Sequence, residues 1–391
     1  MGSGSRYPLL NYTDAITSDY KLDQIQLIIR HGTRYPVQSA TRAIHDSILL
    51  LKQSTNESLM GWVTTYHNTF TPNRAGQLTS WGQQELYTLG RNVADNYPDF
   101  VHKLVEDDII QSFTAYSSYS ERSAQSGSAF CIGLFKGLGD LAPPAKLVGV
   151  PIMTLPKNND PLIAPHKACP RWQAEVGNTD IVNQHLRPYE LKYLSPIAAR
   201  LSQELQLELT MKDIKKFFSA CVSEMAVHKR YDTFCSLFTK QDILALEYID
   251  DAKHYFKYSY GLDINKDIAC ELGKNILQNI DNRLLKLDVK FGHTETTLPL
   301  RTLLGLYKDN FNIEMTLEEA NKRQFKMSDF GTFVNNMAFQ VISKQDKKFV
   351  RVLDNQQPII IPGCDAQICD LNTFRQFMET RLECNFTRLC F

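Results

Sequence analysis

Asp23-Gln24-Ile25-Gln26-Leu27-Ile28-Ile29 runs directly into Arg30-His31-Gly32-Thr33-Arg34-Tyr35-Pro36, and this stretch decides how the rest of the chain is read. Its first seven residues form a largely apolar run of strand length, the pattern expected where both faces of a strand are buried. Burial on both faces points to a parallel sheet covered by helices. In open α/β sheets ligands bind beyond the carboxyl ends of the strands, which is where Arg30 to Pro36 then lies.

Working outward, helical periodicity covers residues 41–52 and 81–95. A second strand is expected over 109–115, ending in the Ser/Tyr-rich turn 116–120, whose serines can cap a helix that begins near Glu121 and runs through Phe130 and Leu134. A third short strand is expected over 147–153. A fourth, 285–291, ends in Gly292-His293-Thr294-Glu295. Between about 156 and 283 strand signals fade and helical patterns dominate, over 195–209, 211–225, 241–255 and 268–280. A helix over 298–307 and strand-like pieces at 338–342 and 349–353 complete the sheet. The expected fold is α/β: a mostly parallel central sheet flanked by helices, with an inserted α-helical cap domain. Residues 20–155 and 284–391 would form the α/β catalytic domain and 156–283 the cap. Three strand ends would then bring Arg30-His31, the serine turn with Arg122, and His293-Thr294-Glu295 together.

The 391 residues carry 43 basic and 43 acidic side chains, so nothing global suggests a nucleic-acid-binding surface. No apolar run approaches the ~18 residues of a membrane span. Met1-Gly2-Ser3-Gly4-Ser5 reads as an appended linker and is set aside. Three glycosylation sequons, at Asn11, Asn56 and Asn385, point weakly to the secretory pathway. The nine cysteines point there more firmly. Cys364 and Cys369, Cys384 and Cys390, and Cys221 and Cys235 are locally spaced, no CxxC occurs, and disulfides in an oxidising compartment are the better reading. An odd total leaves at least one unpaired.

A phosphate monoester needs charge neutralisation, a nucleophile and a proton for the leaving alcohol. Arg30 and Arg34 flank His31, and the planar guanidinium fork suits phosphate oxygens. Arg122 adds a third, at a helix start where free N–H groups favour an anion. A neutral His31 imidazole can attack phosphorus in line, giving a phosphohistidine that water then hydrolyses. Glu295 can give a proton to the departing oxygen and later take one from water; His293 can donate to the same phosphate. No metal and no cofactor are expected, because the arginines take the neutralising role. Gly137-Leu138-Gly139-Asp140-Leu141-Ala142 resembles a dinucleotide fingerprint only loosely: it follows a helix, and Pro143-Pro144 block the next one. Walker A, HExxH and GxSxG strings are absent.

Arg30-His31-Gly32-Thr33-Arg34-Tyr35-Pro36 and the distant His293-Thr294-Glu295 resemble the histidine acid phosphatase superfamily. Within it the chain is most similar to the multiple inositol polyphosphate phosphatases, which carry His-Ala-Glu where the main branch has His-Asp; here Thr294 replaces the alanine. The similarity extends through Ser117-Ser118, Arg122 and residues 246–261, from about 24 to 310. It implies His31 as nucleophile, Glu295 as proton donor, and Arg30, Arg34, Arg122 and His293 as holders of the scissile phosphate, under an α-helical cap. It also implies a small-molecule substrate, phytate (inositol hexakisphosphate) and other inositol polyphosphates, with no nucleic-acid partner. Cationic candidates beyond the scissile site are Arg42, Lys167, Arg171, Lys229, Arg230, Lys253 and Lys257. Leu389-Cys390-Phe391 lacks a KDEL-like retention tail, which argues against retention in the endoplasmic reticulum; within the secretory pathway, secretion and a lysosome-like lumen are equally open. The competing classes are a general acid or 2,3-bisphosphoglycerate phosphatase on the same frame, and a non-catalytic inositol-phosphate-binding protein. The last would need neither nucleophile nor proton donor.

Overall fold

A computed structural model describes residues 2–8, 16, 19–106, 109–141, 144 and 146–391, with backbone alone for 57–60. The sequon at Asn11 lies outside the described residues. One mixed sheet organises the chain, in the order β3-β2-β4-β1-β5-β6-β7, with β8 paired to β6. Its strands are β1 (Lys21–Arg30), β2 (Phe113–Ser117), β3 (Met153–Thr154), β4 (Leu287–Gly292), β5 (Asn336–Lys344), β6 (Lys347–Asp354), β7 (Gln357–Ile359) and β8 (Ile368–Asp370). The first four are mutually parallel. β5 runs antiparallel to β1, hairpins add β6 and β7, and β8 pairs antiparallel with β6.

β1 is central and covered on both faces. Ile25, Leu27 and Ile29 enter one core with α2 (Ser80–Asn96) and α3 (Glu121–Leu134); Ile28 enters another. The glutamines that interrupt the apolar run are buried too. Gln24 Nε2 donates to the carbonyls of Asn279 and Leu285, and Gln26 Nε2 to Ile276. These bonds tie β1 to the end of helix Cys270–Asp281, so a polar residue in a doubly covered strand keeps its partners.

A third core is helical. It joins α1 (Gln38–Leu51) to Ile181–Leu205, Met211–His228 and Lys240–Tyr258 through Ile44, Leu51, Leu194, Phe217 and Ala245.

Several expected elements differ. Residues 109–112 form a helical turn, and the strand begins at Phe113, where pairing with Leu287 starts. Of 147–153 only Met153 pairs with β2. Val148, Val150 and Ile152 pack on the core as a strand would, but Pro151 has no N–H for the ladder. The helix expected from 195 starts at Ile181 and passes through Pro188 and Pro196, because its buried positions, Leu186, Tyr189 and Tyr193 among them, outweigh two lost hydrogen bonds. The helix expected from 298 starts at Thr294. Gly2–Gly4 is not a detached linker: it forms a 3₁₀ turn, and the Ser3 carbonyl accepts from Arg30. Its small residues suit the narrow space, where a Cβ on Gly2 would meet Asp250 and one on Gly4 would meet Val222.

Four disulfides close: Cys221–Cys235 and Cys364–Cys369 locally, Cys169–Cys390 and Cys270–Cys384 over long spans. Cys384 and Cys390 thus take separate partners, because the helix Phe386–Cys390 between them carries each toward a different part of the body. Cys131 is free and buried. Among the described residues no helix is long and apolar enough to cross a membrane.

Candidate active site

Three strand ends lie level. His31 N–H donates to the Gly292 carbonyl at 3.0 Å and Ser118 N–H to Phe291 at 2.9 Å, continuing the register that pairs Arg30 with Gly292 and Ser117 with Phe291. The loop after His31 lies backbone to backbone on α2: a Cβ on Gly32 would strike the Gly82 carbonyl, and one on Gly82 the Thr33 carbonyl. Buried Glu85 accepts from the Thr33 N–H at 2.8 Å and from its hydroxyl at 2.9 Å. Gly32 N–H donates to Ser126 Oγ at 3.2 Å, which fixes the loop to α3.

His31 is buried, with Nδ1 2.9 Å from the Gly32 carbonyl. A carbonyl only accepts, so Nδ1 carries the hydrogen and Nε2 keeps its lone pair. Burial holds the imidazole pKa well below 6.5, and Arg122, His293, Arg30 and Arg34 lower it further. The ring is therefore neutral at pH 7.

Arg30 donates to the Ser3 and Gly331 carbonyls and lies over the Phe333 ring at 4.5 Å. Arg34 donates to the Tyr35 carbonyl at 2.9 Å. Burial, then mutual repulsion, lowers Arg30 to about 9 and Arg34 to about 10, so both remain cations. Arg122 is lowered as well, by burial first. In all three, Nε is buried without a hydrogen-bond partner among the described residues. Three converging guanidinium groups with unmet donors fit an anion rich in acceptor oxygens.

His293 takes the opposite tautomer. Its Nδ1 lies 3.4 Å from Arg122 Nη2, which only donates, so Nε2 carries the hydrogen and gives it to Ser118 Oγ at 2.8 Å. Burial, with Arg122 and the other cations around it, brings its pKa down to about 3 despite Glu295. The His31 and His293 rings meet edge to face at 5.3 Å. Glu295 occupies the first turn of helix Thr294–Leu303, where the helix dipole favours a carboxylate. Burial pushes its pKa up, but His166, His293, a backbone N–H and Arg30 outweigh that and hold it below the usual carboxylate range. The Tyr258 hydroxyl donates to its Oε1 at 3.3 Å.

A cavity of about 170 Å³ opens over this group, lined by Arg122, His293 and Glu295 with Tyr119, Lys167, Lys257 and others. A larger groove, about 650 Å³, lies at the entry end of β1 around Lys21 and Tyr97 and holds none of these residues.

His31, Arg30, Arg34, Arg122, His293 and Glu295 thus gather in one place. Of the outlying cations, Lys167 and Lys257 reach the cavity. Arg171 pairs with Glu175 at 2.7 Å beside a different groove, Lys229 lies over Trp81 at 4.8 Å, Arg230 faces Glu224 at 3.6 Å, and Arg42 is exposed. Lys253 contributes through its repulsion of Lys257. Glu85, Ser126, His166 and Tyr258 were not expected in the site. Only a serine turn before Arg122 hinted at such second partners; Glu85 and Tyr258 sit on ordinary helical faces.

The sequence matches the Histidine phosphatase superfamily (branch 2) over residues 21–355. It is 27% identical to multiple inositol polyphosphate phosphatase 1 of Dictyostelium discoideum over 93% of this chain and 67% of that one. The fold is similar to that of the phytase from D. castellii, at a TM-score of 0.84 and 18% identity, covering 100% of this chain and 86% of that one. It is also similar to the multiple inositol polyphosphate phosphatase of Bifidobacterium longum in complex with inositol hexasulfate, at 0.76 and 14% identity, covering 98% of each. With most of its length matched, the chain belongs to branch 2 of the histidine phosphatase superfamily.

Proposed function

We propose that this chain is a phosphomonoesterase that removes phosphates from phytate and other inositol polyphosphates through a covalent phosphohistidine at His31. The observation that carries the reading is the pairing of a neutral His31, its Nε2 lone pair free, with three guanidinium groups whose buried Nε donors are unmet. The substrate class is supported by the relatives, one named for inositol polyphosphates and another held with inositol hexasulfate. Lys167 and Lys257 at the cavity suit further phosphates on a ring.

Arg30, Arg34 and Arg122 hold the scissile phosphate and offset the charge that spreads over its oxygens in the transition state. His31 Nε2 attacks phosphorus while the P–O bond to the inositol breaks and Glu295 supplies the proton to the leaving oxygen. Water then attacks the phosphohistidine, Glu295 takes its proton, and the P–N electron pair returns to His31. Residues 156–283 act as a cap over the domain formed by 20–155 and 284–391. Four disulfides support residence in an oxidising lumen or outside the cell.

The test is turnover of phytate beside an aryl phosphate, with phosphate trapped on the protein under alkaline quench. Base-stable label on His31, lost in His31→Ala along with at least about 10³-fold of the activity, is the expected result. A His31→Ala enzyme of ordinary activity overturns the mechanism, and strong preference for the aryl ester overturns the substrate class.

A further inference from the structure

Glu295 poses a problem that its own surroundings answer. The residue assigned as the acid is ionised in this site, yet it must hold a proton when the alcohol leaves. The residues walling the cavity include a histidine, His166, that no step above uses.

His166 lies in the short helical turn Pro165–Ala168, which is fastened to the start of the Glu295 helix. Thr296 Oγ1 accepts from the His293 N–H at 3.0 Å and donates to the Ile163 carbonyl. Asp160 in turn accepts from the Ile163 N–H at 2.8 Å. The His166 ring is buried, stands edge to face on Trp172 at 5.7 Å, and Trp172 stacks on Tyr258, the donor to Glu295. His166 Nδ1 is buried without a partner among the described residues. His166 and Glu295 line the same cavity, and a buried imidazole nitrogen left unpaired there needs an explanation.

We propose that His166 is a positioning residue for Glu295, which keeps the acid's proton within the cavity and delivers it to the carboxylate when the phosphorylated substrate binds. The inference rests on the reading of Glu295 as the acid given above. Burial brings His166 to about 4, against the pull of Glu295, while Glu295 lies lower still, so the pair takes its first proton on the imidazole. The other charged or titratable groups facing it are Lys167 on its own turn, Lys157 before it, Lys257 and Tyr258 from the helix Lys240–Tyr258, His293 from beside Glu295, and Arg122 and Tyr119 across the cavity. An anionic phosphate cancels the cations and makes a proton on the pair more favourable.

The proton balance closes. His166-H⁺ gives its proton to the Glu295 carboxylate, and Glu295 passes it to the leaving oxygen as the P–O bond breaks and the N–P bond forms at His31. In the second half, water gives a proton to Glu295, which returns it to His166 as the P–N bond breaks.

The test compares His166→Gln and His166→Asn with Glu295→Gln, each against phytate and p-nitrophenyl phosphate over pH 3 to 7. The ratio of the two rates within one preparation is independent of the folded fraction. The expected result is a fall of roughly tenfold or more in that ratio at pH 5 for the His166 variants, in the same direction as for Glu295→Gln. The acid limb of the kcat profile should move with it. A ratio and an acid limb like the wild type in both His166 variants overturn the role of His166, while selectivity in Glu295→Gln leaves the mechanism standing. Absence of selectivity in Glu295→Gln itself overturns the acid assignment, and with it this inference.

Discussion

A histidine that attacks phosphorus must present an unprotonated nitrogen, and the site secures this twice for His31, by burial and by the cations around it. The same devices carry a cost in acid. His31, His293 and His166 all have folded pKa values below the 6.5 of the unfolded chain, so the unfolded state binds protons that the folded state refuses. Their contribution to stability is present above about pH 6.5 and is lost as pH falls toward the folded values. Glu295 acts in the same direction, its contribution being lost below about pH 4.5. Sulfate, whose charge is constant over this range, should raise the pKa of each group when it sits among the arginines. The increase in melting temperature given by a fixed sulfate concentration should therefore be larger at pH 4.5 than at pH 7. An equal shift at both would detach these groups from the anion site.

Elements carry the site by contacts that a local reading of the chain does not reach. Strand β1 was legible because an apolar run of that length has one economical home, and its end placed Arg30 and His31 at once. The parallel partners were legible too, Leu285 to Phe291 from its alternation of apolar and polar residues, and were blurred only where Pro151 withholds a donor or where a surface turn precedes Phe113. Glu85 was not legible: in the sequence it is one more polar residue of a helix, and its role depends on Thr33, 52 residues away. Glu85→Ala leaves two buried donors of Thr33 unmet and should cost roughly 2–4 kcal/mol in denaturant unfolding. A loss under ~0.5 kcal/mol would remove Glu85 as the anchor of the loop. Arg301, four residues along the Glu295 helix from Thr297, is buried against Asp354 at the end of β6, with Nε 3.0 Å and Nη2 2.5 Å from its carboxylate oxygens, and holds Asn335 at 2.9 Å. Arg301→Met should lose about 3–5 kcal/mol by stranding Asp354, and Arg301→Met/Asp354→Leu should recover most of it. Unfolding of both variants checks whether the pair matters by its charge or by its packing.

At the scale of the molecule, a disulfide reaches into the wall of the cavity. Cys169, three residues beyond His166 and three before Trp172, is bonded to Cys390 across 221 residues. Loss of a native disulfide in this range typically costs about 2–5 kcal/mol. Cys169→Ser should lower the melting temperature accordingly and, if the turn carrying His166 loosens, reduce turnover of phytate more than that of p-nitrophenyl phosphate. A lower melting temperature with an unchanged rate ratio would make the bond purely structural.

The same bond sets a timetable for biosynthesis. At ~5–20 residues per second, Cys390 is made roughly 10 to 45 s after Cys169. Throughout that interval Cys169 is a thiol without its partner, while Cys221 and Cys235 emerge and can capture it. The loop carrying His31 can be complete while the wall facing Glu295 is still unfastened. Closure of the cavity wall then waits until Cys390 emerges, and any capture of Cys169 by Cys221 or Cys235 has to be undone by thiol exchange before the bond can form.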